Sequence, residues 1–574
     1  MRSEEGNKRV IWRQIVVSIL PILFSGCASI VSSTDSLFSA SDKVLSSAEE
    51  IFSIQQQEKT FETGTVVEGF LGGVAVDEPR AALVGREVLS AGGNAFDAAT
   101  AIFFALSVTL PSTAGLAGGG VCAVHPAGEG KTEFLQFLPY PSNQSGGVSL
   151  RPSAVPGNPR GFFLLHSKYG RLSWSQLLVP AENLARFGYR TSRAFATQLA
   201  RVAPALKADR EARKIFLNDK GEPVEEGQKV KQVDYANVLA RIRTRGVGDF
   251  YIGSYSAAIV RAVNQAGGTL SEEDLRLFKP QWVDPLQVEG PHNTLVLFPP
   301  PPNAAGAIAA QISAIAQNLN VRTLSEIDRY HLLAEASKRV FSYRQRWMQP
   351  DGSSSLNHEE ILSEQTIETL AKSINLKKAI SAESLRPIPI ASPETSSSAT
   401  FAVIDREGNA VACGVTMNNL FGTGKVAPGL GLLLAAAPDN KGRGYRALSP
   451  VLVVHKFKRA VFLAMSASGG VTLPTTLTNI IARVAFGDDN LEKAMQAPRI
   501  HHGGDPDVVF VEQKMSREII DALRQRGHTV SVSTTLGRAN AIFCSLGMPP
   551  PKKRSPDCSF FSDFRGHGLA LGES

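Results

Sequence analysis

The stretch AESLRPIPIASPETSSS (residues 382–398) runs directly into ATFAVIDREGNAVACGVT (residues 399–416), and the junction between them decides the fold. The first part, rich in Pro and Ser, has the composition of an exposed, flexible connector. In the second part, Phe401–Ile404 and Ala410–Val415 are β-rich and flank Asp405-Arg-Glu-Gly408-Asn409, which predicts a hairpin. Ser398 therefore stands where a loose connector becomes a strand, and the head of that strand is expected to be exposed.

Working outward, the chain before this junction alternates glycine breaks with helical patterns. Arg80 to Ser90 has helical periodicity, Gly92-Gly93 interrupts it, and a second apolar helix is predicted from Ala95 to about Val108. Gly115-Leu-Ala-Gly118-Gly119-Gly120 then leads into a strand over Val121–Val124. The glycines precede a strand instead of opening a helix after one, which excludes a dinucleotide-binding loop. Residues 160–290 read mostly as helices, Pro299 to Pro302 as a loop, and Ser325 to Arg346 as a helix. Beyond the junction, strands are predicted at Val451–Val454 and Val461–Met465 and a helix at Pro474–Phe486.

The bulk properties are those of a globular protein. The 574 residues are 43% hydrophobic and 20% charged, ample for a large core. A net charge of +7 with no stripe of cations and aromatics gives no footprint for nucleic acid, and Lys552-Lys553-Arg554 reads as a solvated loop. At the N-terminus, Lys8, Arg9 and Arg13 precede the apolar run Ile15–Phe24, too short to span a bilayer comfortably. Leu23-Phe-Ser-Gly-Cys27 looks like a bacterial lipobox, so residues 1–27 read as a lipoprotein signal with Cys27 lipidated. A plain secretory signal or an uncleaved anchor is the alternative. Residues 28–69 then form a tether, and the body of the protein is expected at the periplasmic side of a bacterial envelope. The spacing of Cys122, Cys413, Cys544 and Cys558 shows neither a zinc site nor a redox pair and leaves a disulfide open. His501-His502 has no third ligand at useful spacing, so a structural role is expected, with no metal and no cofactor.

Ten short blocks, in order, resemble the γ-glutamyltranspeptidase family. They are Ala91-Gly-Gly-Asn-Ala-Phe-Asp97-Ala-Ala, Leu110-Pro-Ser-Thr-Ala-Gly115 to Gly120, Val155-Pro-Gly157 with Gly161, Pro299-Pro-Pro with Gly306, and Asp405-Arg-Glu-Gly-Asn409-Ala-Val. The remainder are Thr416-Met-Asn418 with Phe421-Gly422, Ser449-Pro450, Gly469-Gly470, Pro498-Arg-Ile-His-His502, and Ser562-Asp563 with Arg565-Gly566. The resemblance implies an α+β fold, the four-layer αββα sandwich of the N-terminal-nucleophile hydrolases. It also implies a precursor cut into a large subunit (70–397) and a small subunit (398–574) that stay together. The first residue of the small subunit is then the nucleophile. A hydroxyl needs a nearby base at neutral pH, and the freed α-amino group, with a pKa of about 7.7–8.0, can serve.

Counting back from Asp405, the resemblance puts Ser398 at the nucleophile position, where the family has Thr. It puts Thr416 beside the α-amino group, Asn418 in contact with substrate, and the N–H groups of Gly469 and Gly470 in the oxyanion hole. At the substrate pocket the sequence departs from the family. Leu138 stands in place of the Arg that grips the substrate α-carboxylate. In Pro438-Asp439-Asn440, Asn440 replaces the acid that binds the ammonium group, leaving Asp439 as the remaining carboxylate there. The paired serines expected before Ser449-Pro450 are replaced by Ala447-Leu448. Two functions follow as expectations. One is an acyl-transferring amidohydrolase acting on glutathione-like or other small amide or peptide substrates. The other is a non-catalytic relative with a binding or envelope role.

Overall fold

The hairpin at the junction is the centre of a sheet and not its edge. The computed structural model describes residues 70–128, 131–142, 152–349, 351–387, 397–438, 447–552 and 554–572. Cys27 and the expected signal and tether (1–27 and 28–69) lie outside the described residues, as do Asp439 and Asn440. In chain order the elements that build the site are β1 (Gly72–Val76), α1 (Pro79–Ser90), α2 (Ala95–Thr109), β2 (Gly119–His125), β3 (Glu133–Phe137), α3 (Asn158–Tyr169) and β4 (Gln281–Val283). There follow β5 (Leu286–Gly290), β6 (Thr294–Phe298), α4 (Ala304–Asn318), α5 (Glu326–Tyr343), β7 (Ser398–Asp405) and β8 (Ala410–Thr416). The remainder are β9 (Ser449–His455), β10 (Val461–Ser468), α6 (Leu473–Val484), β11 (Arg538–Met548), β12 (Cys558–Ser562) and β13 (Leu569–Gly572).

Two antiparallel sheets stack face to face. The first has the strand order β13-β1-β7-β8-β2-β3-β4 and the second β12-β11-β10-β9-β6-β5. Three cores separate four layers. α1, α2 and α3 cover the outer face of the first sheet, and α4, α5 and α6 cover the outer face of the second. A thinner core of Val121, Phe134, Leu138, Ala402, Ile404, Leu452 and Ala464 lies between the sheets. This is the αββα sandwich expected from the sequence.

Local chemistry accounts for the elements. Every residue of β7, SATFAVID, is buried, so the strand reads as a near-continuous apolar run, as sheets covered on both faces do. α2 is buried along its whole length and is apolar all round, and Asn94 and Asp97 close its first turn as a capping box. Asp405 ties this helix to the hairpin. Its carboxylate accepts from Ala95 N at 2.9 Å and from Asn409 N at 3.0 Å. The expected helix over residues 325–346 ends at Tyr343 with a 3₁₀ turn beyond it.

The four cysteines, whose pairing the sequence left open, form two disulfides, Cys122–Cys413 and Cys544–Cys558. His501 and His502 are buried. His501 Nδ1 lies 2.9 Å from Thr475 Oγ1, and His502 Nε2 lies 3.1 Å from Asp507 Oδ1. Among the described residues no group of three or more metal-ligating side chains is placed to hold an ion.

These histidines make stability depend on pH. Burial pushes His125 and His502 down to about 4 and His501 and His528 down to about 3. Unfolded, each takes up a proton near its ordinary value of about 6.5. Below that pH the unfolded chain binds more protons than the folded one, so stability present above pH ~6.5 is lost as pH falls towards ~4. Calorimetric Tm should drop steadily between pH 6.5 and 4.5, and less steeply in His501→Gln. A Tm level across that range would contradict buried, neutral histidines.

Candidate active site

Strand register brings the first candidate residues together. Ser398 at the head of β7 lies directly opposite Thr416 at the end of β8, and Thr416 lies opposite Gly119 of β2. The glycine run before β2 exists because backbones close on each other there. A Cβ on Gly118 would sit 2.2 Å from Thr416 O, and one on Gly119 would sit 2.3 Å from Phe137 O. Along β7, Ala399, Phe401 and Val403 face the helices while Ala402 and Ile404 face the second sheet. Alternation therefore turns Ser398 and Thr400 towards the second sheet.

The bond before Ser398 is buried, with Ser397 7% and Ser398 5% exposed. The exposed strand head expected from the sequence is thus corrected. β7 pairs on both sides and the second sheet covers it, so the junction is sealed into the sandwich. Any cut at this bond has to come from groups already beside it. Thr416 Oγ1 donates to the Ser397 carbonyl at 3.1 Å and accepts from Asn418 N at 2.9 Å. Asn418 reaches this position through a left-handed backbone (φ 58°), which Asn tolerates better than most residues. Its side-chain amide is fixed by Pro139 O at 3.2 Å and Ala436 O at 2.9 Å.

This geometry suits an acyl shift. If Ser398 Oγ attacks the Ser397 carbonyl carbon, negative charge develops on the oxygen that Thr416 already contacts. A preplaced donor is worth most there. The Asn418 N–H polarises the Thr416 hydroxyl and strengthens it as a donor. Collapse of that adduct would break the Ser397–Ser398 C–N bond and pass the hydroxyl proton to nitrogen, freeing the α-amino group across the strand pair from Thr416. Water would then hydrolyse the resulting ester and restore the Ser398 hydroxyl.

A second set of groups, not picked out from the sequence, holds the strand from the opposite sheet. Arg538, first in β11, donates through Nη2 to Ser398 O at 2.9 Å and pairs with Asp77 at 3.3 Å. Asp77 accepts from Thr400 N at 3.0 Å and from Asn540 Nδ2 at 2.7 Å. Asn540 Nδ2 also reaches Thr400 O at 3.0 Å. The one sequence signal was period two, with polar Arg538 and Asn540 on the same face of an otherwise apolar strand.

Arg538 is opposite Ser468 in the pairing of β11 with β10, which places the Gly469-Gly470 turn immediately beyond. Gly470 is left-handed (φ 60°), and a Cβ on Gly469 would lie 2.9 Å from Gly537 Cα. Both positions therefore require glycine. Neither amide N–H has an acceptor among the described residues, which leaves both donors available.

Gly537 is itself held by a buried ionic network. Arg499 donates to Gly537 O at 3.0 Å and to Asp563 at 2.5 Å, and Glu512 accepts from Leu536 N at 2.9 Å and from Arg565 Nε at 2.6 Å. Burial acts to raise the Asp563 carboxyl, but Arg499 and Arg565 outweigh it and hold it below its ordinary value. The Pro498-Arg499 and Asp563/Arg565 blocks of the sequence are the two halves of this support.

Leu138 is fully buried between the sheets. The next residue, Pro139, carries the carbonyl that fixes Asn418, so Leu138 borders the site. The segment leading to Asp439 and Asn440 is described as far as Pro438, and Ala436 O is the other acceptor for Asn418.

Two stacked antiparallel sheets between helical layers, with a hydroxyl residue heading a central strand, define the class: an N-terminal-nucleophile hydrolase fold. The cephalosporin acylase of Bacillus halodurans shares the architecture, with a TM-score of 0.72 at 24% identity over 88% of this chain and 96% of that one. The profile of gamma-glutamyltranspeptidase matches residues 81–571, and the chain belongs to that family. The glutathione hydrolase proenzyme of Escherichia coli is 28% identical over 512 residues, 82% of this chain and 88% of its own length. The corresponding protein of Pseudomonas aeruginosa is 28% identical over 504 residues, 80% of this chain and 88% of its own. The family is one of amide hydrolases and acyl transferases.

Incubation of the purified full-length chain should yield a fragment spanning residues 398–574, whose appearance can be timed on a gel. Ser398→Ala should abolish the fragment. Thr416→Val should slow its appearance by about 10²-fold or more, the usual cost of one oxyanion donor, and Thr416→Ser should largely restore it. Cleavage at the wild-type rate in Thr416→Val would contradict the role given to this hydroxyl.

Proposed function

We propose that the chain is a self-processing amidohydrolase and acyl transferase whose substrate differs from a γ-glutamyl compound in its acyl part. The observation that carries the reading is the hydrogen bond from Thr416 to the Ser397 carbonyl at the head of β7. It gives the precursor a donor at the oxygen where charge develops. Ser398 acts as nucleophile twice, first on its own preceding bond and then on the substrate. In the second reaction the freed α-amino group takes the Ser398 hydroxyl proton and passes it to the leaving amine, and an acyl-Ser398 ester forms. Water or an acceptor amine then releases the acyl group. Thr416 orients the α-amino group, the N–H groups of Gly469 and Gly470 receive the oxyanion, and Asn418 contacts the substrate.

Specificity rests on what stands around this centre. A γ-glutamyl group is a zwitterion and needs a cation for its carboxylate and an anion for its ammonium. Leu138 offers no charge and is packed among apolar side chains. Asn440 is neutral at every pH, leaving Asp439 as the carboxylate of that segment. Losing a charged partner from a recognition site costs roughly 2–5 kcal/mol. The preferred substrate is a small amide or peptide, glutathione-like in its amide bond, with an acyl part less charged than γ-glutamyl.

For the processed protein, kcat/KM on a γ-glutamyl anilide should fall at least about 10²-fold below that of an ordinary family member. Anilides lacking the α-amino acid group should be turned over no worse. Leu138→Arg alone should not help, because one unpaired charge in a pocket is costly. An ordinary γ-glutamyl rate would show that other residues supply the missing contacts.

The Leu23-Phe-Ser-Gly-Cys27 motif supports a further part of the proposal, that the protein is anchored in a bacterial envelope through lipid on Cys27. Cys27→Ala should move it from the membrane to the soluble fraction and shift its gel mobility. Unchanged fractionation would remove the anchor from the account.

A further inference from the structure

The two disulfides differ in where they stand relative to Ser398. Cys544–Cys558 joins β11 to β12, and both cysteines follow residue 398 in the chain. Cys122–Cys413 joins β2 to β8 across 291 residues of sequence, so its halves lie on opposite sides of the Ser397–Ser398 bond. Both cysteines are fully buried.

We propose that Cys122–Cys413 is an inter-chain cross-link, the covalent bond that keeps the two fragments one molecule after the precursor is cut. The inference rests on the self-processing reading. Its physical basis is the placement of the hairpin. β7 pairs with β1 and β8 pairs with β2, so both outer seams of the hairpin face strands of the earlier fragment. Once the bond before Ser398 is cut, hydrogen bonds and packing alone hold the β7–β1 seam. The β8–β2 seam carries the disulfide, in register Cys413↔Cys122, three residues from the Thr416↔Gly119 pair.

Two consequences follow. A one-residue slip along the β8–β2 seam would turn every side chain of β8 to the opposite face, Thr416 included. The cross-link excludes that slip next to the site. It also makes reassembly of the cut protein unimolecular, with an effective concentration far above that of separate fragments. The bond takes no part in the amide chemistry. A dithiol reductant acting on the unfolded protein breaks the S–S bond, leaves two thiols, and is itself oxidised to a cyclic disulfide.

The test uses the full-length, processed protein, denatured with iodoacetamide present and run with and without reductant. The cross-link predicts one species without reductant and two with it, one of them spanning residues 398–574. Cys413→Ser should give two species in both lanes, whereas Cys544→Ser with Cys558→Ser should behave as wild type. Two wild-type species without reductant would overturn the cross-link. A single species in both lanes would instead overturn the cut. In that case tryptic mapping of the unreduced chain tests the pairing alone: linked Cys122 and Cys413 peptides support it, and two alkylated thiols overturn it. If Cys413→Ser does not fold, refolding of the cut wild type replaces it. Recovery should not vary over about a hundredfold range of protein concentration, and should become concentration-dependent after reduction and alkylation. Concentration dependence before reduction would overturn the proposal.

Discussion

The constraint on which the structure depends is that the hairpin of β7 and β8 is wedged between β1 and β2. A hairpin at a sheet edge could be ordered or cut with little effect on the rest. This one pairs with earlier strands on both sides, is covered by α2 on one face and meets the second sheet on the other. Ser398 is therefore immobilised before any chemistry occurs. The carbonyl of Ser397 is delivered to Thr416 by the same pairing that builds the sheet. Cleavage and catalysis on this account share one geometry, because the strand register that serves the first reaction also serves the second.

Around that centre the space between the sheets changes character. Most of it is apolar, but the end holding Ser398 is polar, with Asp77, Thr400, Thr416, Ser466, Ser468, Arg538 and Asn540. Buried polar groups are costly unless partnered. Most of these are tied into the clamp that holds the first residues of β7, while Ser466 Oγ and Ser468 Oγ have no hydrogen-bond partner among the described residues. Further out, the Arg499–Asp563 and Arg565–Glu512 pairs hold the chain at Leu536–Ala539 and so support the Gly469-Gly470 turn. Breaking one partner of such a buried pair typically costs about 3–5 kcal/mol. These remote pairs are therefore part of how the turn keeps its shape.

Much of this was legible in the sequence, for identifiable reasons. The hairpin was readable because Asp405-Arg-Glu-Gly-Asn409 is strong turn chemistry between two β-rich runs. α2 was readable because a long apolar helical run follows the Gly92-Gly93 break. The resemblance to the γ-glutamyltranspeptidase blocks, counted back from Asp405, singled out Ser398, and the structure places Thr416 opposite it. The burial of Ser398 was not legible, since a Ser-rich connector has the composition of an exposed loop whatever covers its end. Arg538 was missed because its partners, Asp77 and Ser398, are 461 and 140 residues away in sequence. The pairing of the four cysteines was open for the same reason, because spacing does not report which strands become neighbours.

Under the proposed self-processing, Ser398 becomes the N-terminal residue of a separate fragment. The most direct measurement is the N-terminal sequence of the smaller fragment of purified wild-type protein, incubated with protease inhibitors present. Self-processing at this bond gives Ser-Ala-Thr-Phe, beginning at Ser398. An uncut chain, or a fragment beginning at another residue of the connector, would contradict it.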